Sequence, residues 1–329
     1  MTALRMLFIG GNGTISAPIS RRVIEQGHDL TLLNRGQQSH RPPIEGASSL
    51  TGDAGDPASV REAVSDREFD VVVNFRSFTP AQVQADIETF AGVTGQYVYI
   101  SSASAYQKPV GRLPITESTP LRNPWWQYSR DKIASEDALV AAYRERGFPV
   151  TIVRPSHTYD EQSIPLEGGT TALARLLRGA PVVVHGDGTS LWTLTHSCDF
   201  AVAFTGLLGR PAAIGDVFQI TSDEVLTWDA ITRMLAAAAG VDADIVHVAS
   251  DELARELPDW GPGILGDKSH SVVFDNSKVK SLVPEYTATI PFAVGAREII
   301  AWHQADPSRI RVDDELDAAI DAVVARHRS

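Results

Sequence analysis

The chain has 329 residues, 43% hydrophobic and 21% charged, with a formal net charge of −12. This is the composition of a soluble globular protein long enough for one large domain or two smaller ones. It argues against nucleic acid as the main partner, since no Lys/Arg-rich run offers the basic stripe a phosphate backbone requires. It also argues against a membrane span, since no segment approaches the roughly 18 apolar residues needed. Cys198 is the only cysteine, so no intramolecular disulfide can form. A reducing, cytoplasmic setting fits, as does an N-terminus without a signal-peptide layout. The Cys198 thiol reads as a small buried side chain, and no cluster has metal-ligand spacing.

Taken in chain order, the first element is an apolar strand over 6–9. It ends in Gly10-Gly11-Asn12-Gly13-Thr14-Ile15-Ser16 and passes into a helical pattern over 17–26. Glycine allows close backbone approach and positive φ. Free N–H groups and the positive dipole end at a helix mouth favour a phosphate. The spacing is Gly10-x-x-Gly13-x-x-Ser16, with serine where a third glycine usually lets helix and strand pack closely. The Ser16 hydroxyl can add a phosphate contact. The competing reading is a glycine turn of any α/β protein.

A second strand over 29–33 ends in Asn34-Arg35-Gly36, and polar, proline-bearing sequence follows to about Gly46. A short strand over 48–50 is closed by Gly52-Asp53, and a short helix covers 57–65. The run Asp70-Val71-Val72-Val73-Asn74-Phe75 is nearly continuously apolar, as in a strand covered on both faces. Next come a helix over 81–91, a strand over 97–100 ending in Ser101-Ser102, and a long helix over 127–146 stopped by Gly147. A strand over 150–153 ends in Arg154-Pro155.

Alternating strands and helices specify an α/β fold, a doubly wound parallel sheet. Ligands in such sheets sit beyond the carboxyl ends of the strands. Gly10, Asn34, Asn74, Ser102 and Pro155 all fall there and should line one crevice. Beyond Pro155 the pattern loosens: a helix over 173–178, short strands over 182–184 and 245–248, a strand over 216–221 able to rejoin the main sheet, and helices over 228–239 and 313–328. The expected organisation is a dinucleotide-binding domain over 1–160, completed by strands near 195–222. A smaller C-terminal substrate lobe would comprise 161–190 and 223–329.

Tyr128 and Lys132 stand four apart, so a helix turns both the same way. An ammonium beside a phenol favours phenolate and lowers the phenol's pKa. Such a tyrosine can take a proton from an alcohol or return one to a carbonyl. Ser102, at a strand end facing the same crevice, can hold the reacting oxygen. As an isolated pair, Tyr-x-x-x-Lys is usually a solvated helix face.

With these residues in this order, the chain resembles the NAD-dependent epimerase/dehydratase family of the extended short-chain dehydrogenase/reductase superfamily, a Rossmann-type fold. The resemblance runs over most of the chain. It includes the glycine turn, Gly52-Asp53, Tyr99-Ile100-Ser101-Ser102-Ala103-Ser104-Ala105-Tyr106, Tyr128/Lys132 with Glu136, Arg154-Pro155, Gly186-Asp187-Gly188, Thr195-His196 with Asp199, Asp275-Asn276-Ser277-Lys278, and Gly295 to Trp302.

The resemblance implies that Tyr128 is the acid/base, that Ser102 orients the reacting oxygen, and that Lys132 also binds the nicotinamide ribose. It also places Asp53 near the adenine; the further candidate cofactor contacts are Gly10, Asn12, Gly13, Thr14, Ile15, Asn34, Arg35, Asn74 and Pro155. Ser104, Trp192 and His157 are the substrate-side candidates. His196, Asp199 and Glu136 read as structural. A homodimer through the Tyr/Lys helix is also implied; residues 134–142 offer an alanine-rich face, which can equally pack inside the monomer.

Two departures matter. The acidic residue expected after the second strand, which would bond a ribose 2′-OH, is replaced by Asn34-Arg35. Arginine's planar fork suits a phosphate, which favours NADP(H) over NAD(H); a solvated loop arginine is the alternative. Trp192 stands where the resemblance expects an arginine gripping a nucleotide-sugar diphosphate. Tryptophan offers an apolar or stacking surface instead, or a plain core residue. Trp125 and Trp126 either wall the pocket or pack the helix entrance. The expected function is NAD(P)-dependent oxidoreductase, epimerase or dehydratase chemistry on a sugar-like or polyol substrate. The rival is a nucleotide-sensing or RNA-associated protein on the same scaffold, as in the chloroplast stem-loop-binding group. A basic stripe with no open pocket above Tyr128 would favour the rival.

Overall fold

The computed structural model describes residues 2–36, 41–65 and 67–328; residues 37–40, within the polar stretch expected after Gly36, lie outside them. The first half runs β1 (Arg5–Ile9), α1 (Ser16–Glu25), β2 (Asp29–Asn34), β3 (Ser48–Thr51), α2 (Pro57–Val64), β4 (Phe69–Asn74), α3 (Pro80–Phe90), β5 (Thr94–Ile100), α4 (Gln127–Arg146) and β6 (Val150–Pro155). The second half adds β7 (His157–Tyr159), α5 (Gly169–Leu177), β8 (Val182–His185), β9 (Leu191–Trp192), β10 (Leu194–His196), α6 (Ser197–Leu207), β11 (Val217–Ile220), β12 (Leu226–Thr227) and α7 (Trp228–Ala239). It ends with β13 (Ile245–Val248), α8 (Ser250–Glu256), α9 (Gly261–Gly263, continuing as a π-helical turn through Lys268), α10 (Ser277–Leu282), α11 (Phe292–Gln304) and α12 (Asp314–His327).

The central sheet has seven strands in the order β11-β6-β5-β4-β1-β2-β3, all paired in parallel. Side chains alternate across it with period two. Met6, Phe8, Val71 and Val73 enter one core with α1 and α6. Leu7, Ile9 and Val72 enter a second core with α2, α3 and α4. Both faces are thus buried, which explains the unbroken apolar runs.

Local signals set several helix ends. Thr79 and Gln82 form a reciprocal capping box on α3, with Pro80 as its first residue. Gly147, at φ +67°, ends α4 in the left-handed region.

Past the strand ends the regular pattern gives way to three two-stranded sheets, β10-β7, β12-β9 and β13-β8. Trp192, Trp228, Tyr159, Phe292 and Ile299 share a third core there. The helices α6 and α11 are not among the expected elements, although α11 buries Phe292, Gly295, Ala296, Ile299 and Ile300 at helical spacing. α6 is buried almost all round, packed against α1, so it has no polar face to mark it.

Candidate active site

The glycine turn joins β1 to α1. Gly10 sits at φ +84°, and a Cβ there would lie 2.6 Å from Cγ of Arg76. A Cβ on Gly11 would collide with Leu32, whereas one on Gly13 would meet only Ser16 Oγ at 3.5 Å. Gly13 therefore leaves open space before the helix mouth. Ser16 departs from expectation: its hydroxyl donates to the Gly10 carbonyl (2.8 Å) and accepts from the Gly13 N–H (2.7 Å). A hydroxyl has one proton to donate, so Ser16 braces the turn instead of offering that proton to a phosphate.

A cavity of about 520 Å³ opens above the strand ends. Its floor takes Gly10, Gly13, Thr14 and Ile15 from the turn, Ser102 and Ser104 from the end of β5, Tyr128 and Lys132 from α4, and Pro155 from β6. Trp126, His157 and Trp192 wall it, and residues 267–274 close the far side. A second cavity of about 380 Å³ is lined by Asn34, Arg35, Gly52 and Asp53. The two share Gly10, Arg76 and Phe78 as their border.

The four-residue spacing on α4 brings Tyr128 and Lys132 into the same cavity as Ser102. The electrostatics differ from the sequence expectation. Burial holds the Tyr128 phenol above its ordinary pKa; a hydrogen bond with Ser102 pulls the other way and Asp267 adds a smaller upward push. The Lys132 ammonium lies 5.7 Å from the phenol ring centre and donates to the carbonyls of Ser77 (2.8 Å) and Ile100 (2.7 Å). Burial brings Lys132 itself down to about 7, against a smaller upward pull from Glu136. Desolvation therefore dominates at both groups, over the Ser102 hydrogen bond at Tyr128 and over the attraction of Glu136 at Lys132, and the phenol is neutral at pH 7. Ser102 Oγ lies 2.9 Å from Ser104 Oγ, which accepts from the buried Ser129 hydroxyl (2.8 Å).

Two expected cofactor residues lie outside the cavity walls. The Asn74 side chain is buried, donating to Ser77 Oγ (3.0 Å) and the Asp86 carboxylate (2.9 Å) and accepting from the Arg76 N–H (2.8 Å). It shapes the loop after β4. Asn12 donates to the Pro42 carbonyl (3.2 Å). Asn34 does border the second cavity, while its side-chain oxygen accepts from the Gly36 N–H.

Trp192 donates from Nε1 to Nδ1 of His157 (3.2 Å) and packs its ring 5.1 Å from Trp228. Accepting at Nδ1 places the proton of the neutral His157 ring on Nε2. Burial, with a lesser push from Lys268, brings His157 down to about 3. Trp126 faces Tyr128 at 5.0 Å, whereas Trp125 is exposed and packs on His270.

Glu136 forms a buried ion pair with Arg154. His196 caps α6 and meets Glu298 at 3.0 Å, and Asp199 accepts from Ile290 N–H. Cys198 is exposed, not buried, although its neighbours Ser197 and Asp199 in the same turn of α6 are buried.

The NAD dependent epimerase/dehydratase family model matches residues 6–221. The chain belongs to that family. It is 28% identical over 257 residues to the chloroplast stem-loop binding protein of 41 kDa b of Arabidopsis thaliana, covering 74% of this chain and 65% of that one. The chain thus spans just under two thirds of that relative's length. It is 27% identical over 288 residues to 2′-dehydrokanamycin reductase of Streptomyces kanamyceticus, covering 86% and 80%. Among solved structures, an epimerase of Methanothermobacter thermautotrophicus matches with a TM-score of 0.77 at 16% identity over 94% of each chain. UDP-glucose 4-epimerase of Bifidobacterium longum, in complex with NAD+ and UDP, matches at 0.74 and 17% identity over 92% and 99%. At such identities the structural likeness speaks for the fold.

The residues fit the family's dinucleotide. The open space at Gly13 admits a group to the mouth of α1, and the paired cavities give an extended groove. Among the lining residues that the sequence does not mark as candidates, Arg76, Phe78, Asp267 and Lys268 matter most. Arg76 and Phe78 stand just past β4, where a charged residue directly after a strand end was a readable signal. Asp267 and Lys268 come from a π-helical turn and carry no local signal. Each pairs outside the cavity: Lys268 with Glu167 (2.7 Å) and Asp267 with the buried Lys108 (3.0 Å). Among the described residues, no helix is long and apolar enough to cross a membrane.

Proposed function

We propose that the chain is an NADP(H)-preferring oxidoreductase that reduces a carbonyl, or oxidises the matching hydroxyl, of an uncharged sugar-like or polyol substrate. The convergence of Tyr128, Ser102 and Lys132 on the cavity that also holds the glycine turn carries this reading. When bound, the nicotinamide exchanges hydride with the reacting carbon.

Ser102 and Tyr128 donate hydrogen bonds to the substrate oxygen. The phenol, neutral at pH 7, delivers its proton as the oxygen gains charge. That protonation state supports the reducing direction, as does the relative named as a reductase. Lys132 holds the cofactor's ribose and, once its ammonium approaches, stabilises the phenolate left behind. Arg35, beside Asp53 in the second cavity, meets a 2′-phosphate, which supports NADP(H).

The lining charges of 267–268 are already paired, and Trp192 replaces the expected arginine. A diphosphate would find no free cation on that wall among the described residues, so a neutral polyhydroxylated substrate, stacked on Trp192 and Trp126, fits better. Two domains, with the C-terminal lobe closing over the substrate, belong to the same reading. So does a homodimer through the exposed strip of α4 carrying Ala134 and Ala141.

The RNA-associated alternative keeps one supporting observation, the Arabidopsis relative's name. The open cavity over Tyr128 and the net charge of −12 weigh against it. The test is a screen of ketoses, aldoses and deoxy-keto sugars for NADPH oxidation. Turnover that Tyr128→Phe abolishes supports the reading, and RNA binding without turnover overturns it.

A further inference from the structure

We infer that Arg76 is the cofactor's pyrophosphate clamp, an inference that rests on the dinucleotide reading above. The argument is one of position. One cavity holds the residues suited to the nicotinamide end, Tyr128, Lys132 and Pro155; the other holds those suited to the adenosine end, Asn34, Arg35 and Asp53. A dinucleotide occupying both must cross their common border. The portion of the molecule between its two nucleosides is the pyrophosphate, with two negative charges. Gly10, Arg76 and Phe78 form that border, and Arg76 is its only cation among the described residues.

The neighbouring chemistry leaves this task to Arg76: the other cation at the turn, Arg41, donates to Thr14 Oγ1 (3.0 Å) and forms an ion pair with the buried Asp160. At the mouth of α1, Ser16 has spent its proton on the Gly10 carbonyl. The helix offers backbone N–H groups and its dipole there, but no acidic or basic side chain stands in the turn itself. Among the described residues, no ion pair or side-chain hydrogen bond engages the Arg76 guanidinium. It instead lies 5.6 Å from the Phe78 ring centre.

The rest of the residue is held in place. Its Cγ and Cδ cover the bare Gly10 Cα, where a Cβ would come within 2.6 and 2.9 Å of them. Its N–H donates to Asn74 Oδ1, and Asn74 is anchored through its amide to the buried carboxylate of Asp86. Asp86 also accepts from Ser77 and, at 2.7 Å, from Tyr97. The buried network under the loop therefore aims an unpaired planar fork at the groove, the geometry that suits phosphate. It also gives Asn74 an indirect part in the site.

The test is fluorescence titration of NADPH and of NADH into wild-type, Arg76→Met, Arg76→Lys and Arg35→Ala protein at two salt concentrations. A pyrophosphate is common to both cofactors. Arg76→Met should therefore weaken both by the same factor, about 10- to 100-fold, and reduce the salt dependence of binding. Arg76→Lys should recover part of the loss. Arg35→Ala should weaken NADPH alone.

Arg76→Met that leaves both affinities unchanged makes Arg76 a solvated surface residue and overturns the clamp while the cofactor reading stands. Loss confined to NADPH moves Arg76 to the 2′-phosphate and equally overturns it. Wild-type protein that binds neither dinucleotide removes the cofactor reading and the clamp with it. Thermal melts of each variant separate lost binding from lost folding.

Discussion

The two sides of the main cavity are built on different terms. The floor is the carboxyl edge of a parallel sheet. Strands there are covered on both faces, their ends are fixed by register, and their polar groups reach open space. The far wall comes from 157 to 274, where strands are two to four residues long. Its polar groups are consumed by one another: Trp192 by His157, Lys268 by Glu167, Asp267 by Lys108. The floor thus brings Tyr128, Ser102 and Lys132 together on the cavity, Tyr128 hydrogen-bonded to Ser102 and Lys132 to backbone carbonyls but none of them in an ion pair among the described residues, while the wall presents aromatic surface and paired charges. In the proposed function, chemistry belongs to the regular half and selectivity to the irregular half.

The sharpest way to break that division is at the floor. Tyr128→Phe removes the proton donor and should lower turnover by about a thousandfold with NADPH affinity unchanged, as steady-state kinetics and fluorescence titration will show. Retained turnover would move the acid elsewhere.

Lys132 tests the floor through stability. Its folded value is about 7 against an ordinary 10.5. Between these values the unfolded chain binds more protons, so this group makes stability rise with pH across that window. The full cost of the buried amine is present below about pH 7 and gone by about pH 10.5. Urea unfolding should show a gain on the order of a few kcal/mol across the window. Lys132→Met should flatten it; an identical slope would mean the amine is solvated.

Smaller effects belong to the second cavity and the wall. Arg35→Ala should cost NADPH about tenfold and leave NADH unchanged, by competitive titration. An equal loss for both would place Arg35 away from the 2′-position. Trp192→Arg breaks the wall's neutrality and frees His157 Nδ1. It should raise KM for a neutral sugar-like substrate by severalfold while first creating measurable UDP affinity, read by calorimetry. Unchanged values would remove Trp192 from substrate contact.

The same division explains what the sequence could reveal. The run Asp70 to Phe75, the glycine turn and the Tyr128/Lys132 pair are local patterns whose meaning depends on nearby spacing, and the sheet follows from them. Register across the sheet then brings Ser102 and Pro155 to the cavity. What escaped was non-local. Lys108 meets Asp267 across 159 positions of chain, and two-residue strands such as β9 are too short for any periodicity to mark. Desolvation was equally invisible, because spacing shows that Tyr128 and Lys132 share a face but not how much water reaches them. That is why the expected lowering of the phenol's pKa became a raising. Asn74 misled because a strand-end position does not fix which way its side chain turns; Asp86 draws it inward.

The most direct measurement is a crystal structure of the protein with NADP+. The account predicts the nicotinamide ring beside Tyr128 and Ser102, the pyrophosphate between the mouth of α1 and Arg76, and the 2′-phosphate at Arg35. A nicotinamide ring outside hydrogen-bonding range of the Tyr128 region, or a main cavity that excludes the dinucleotide, would contradict it.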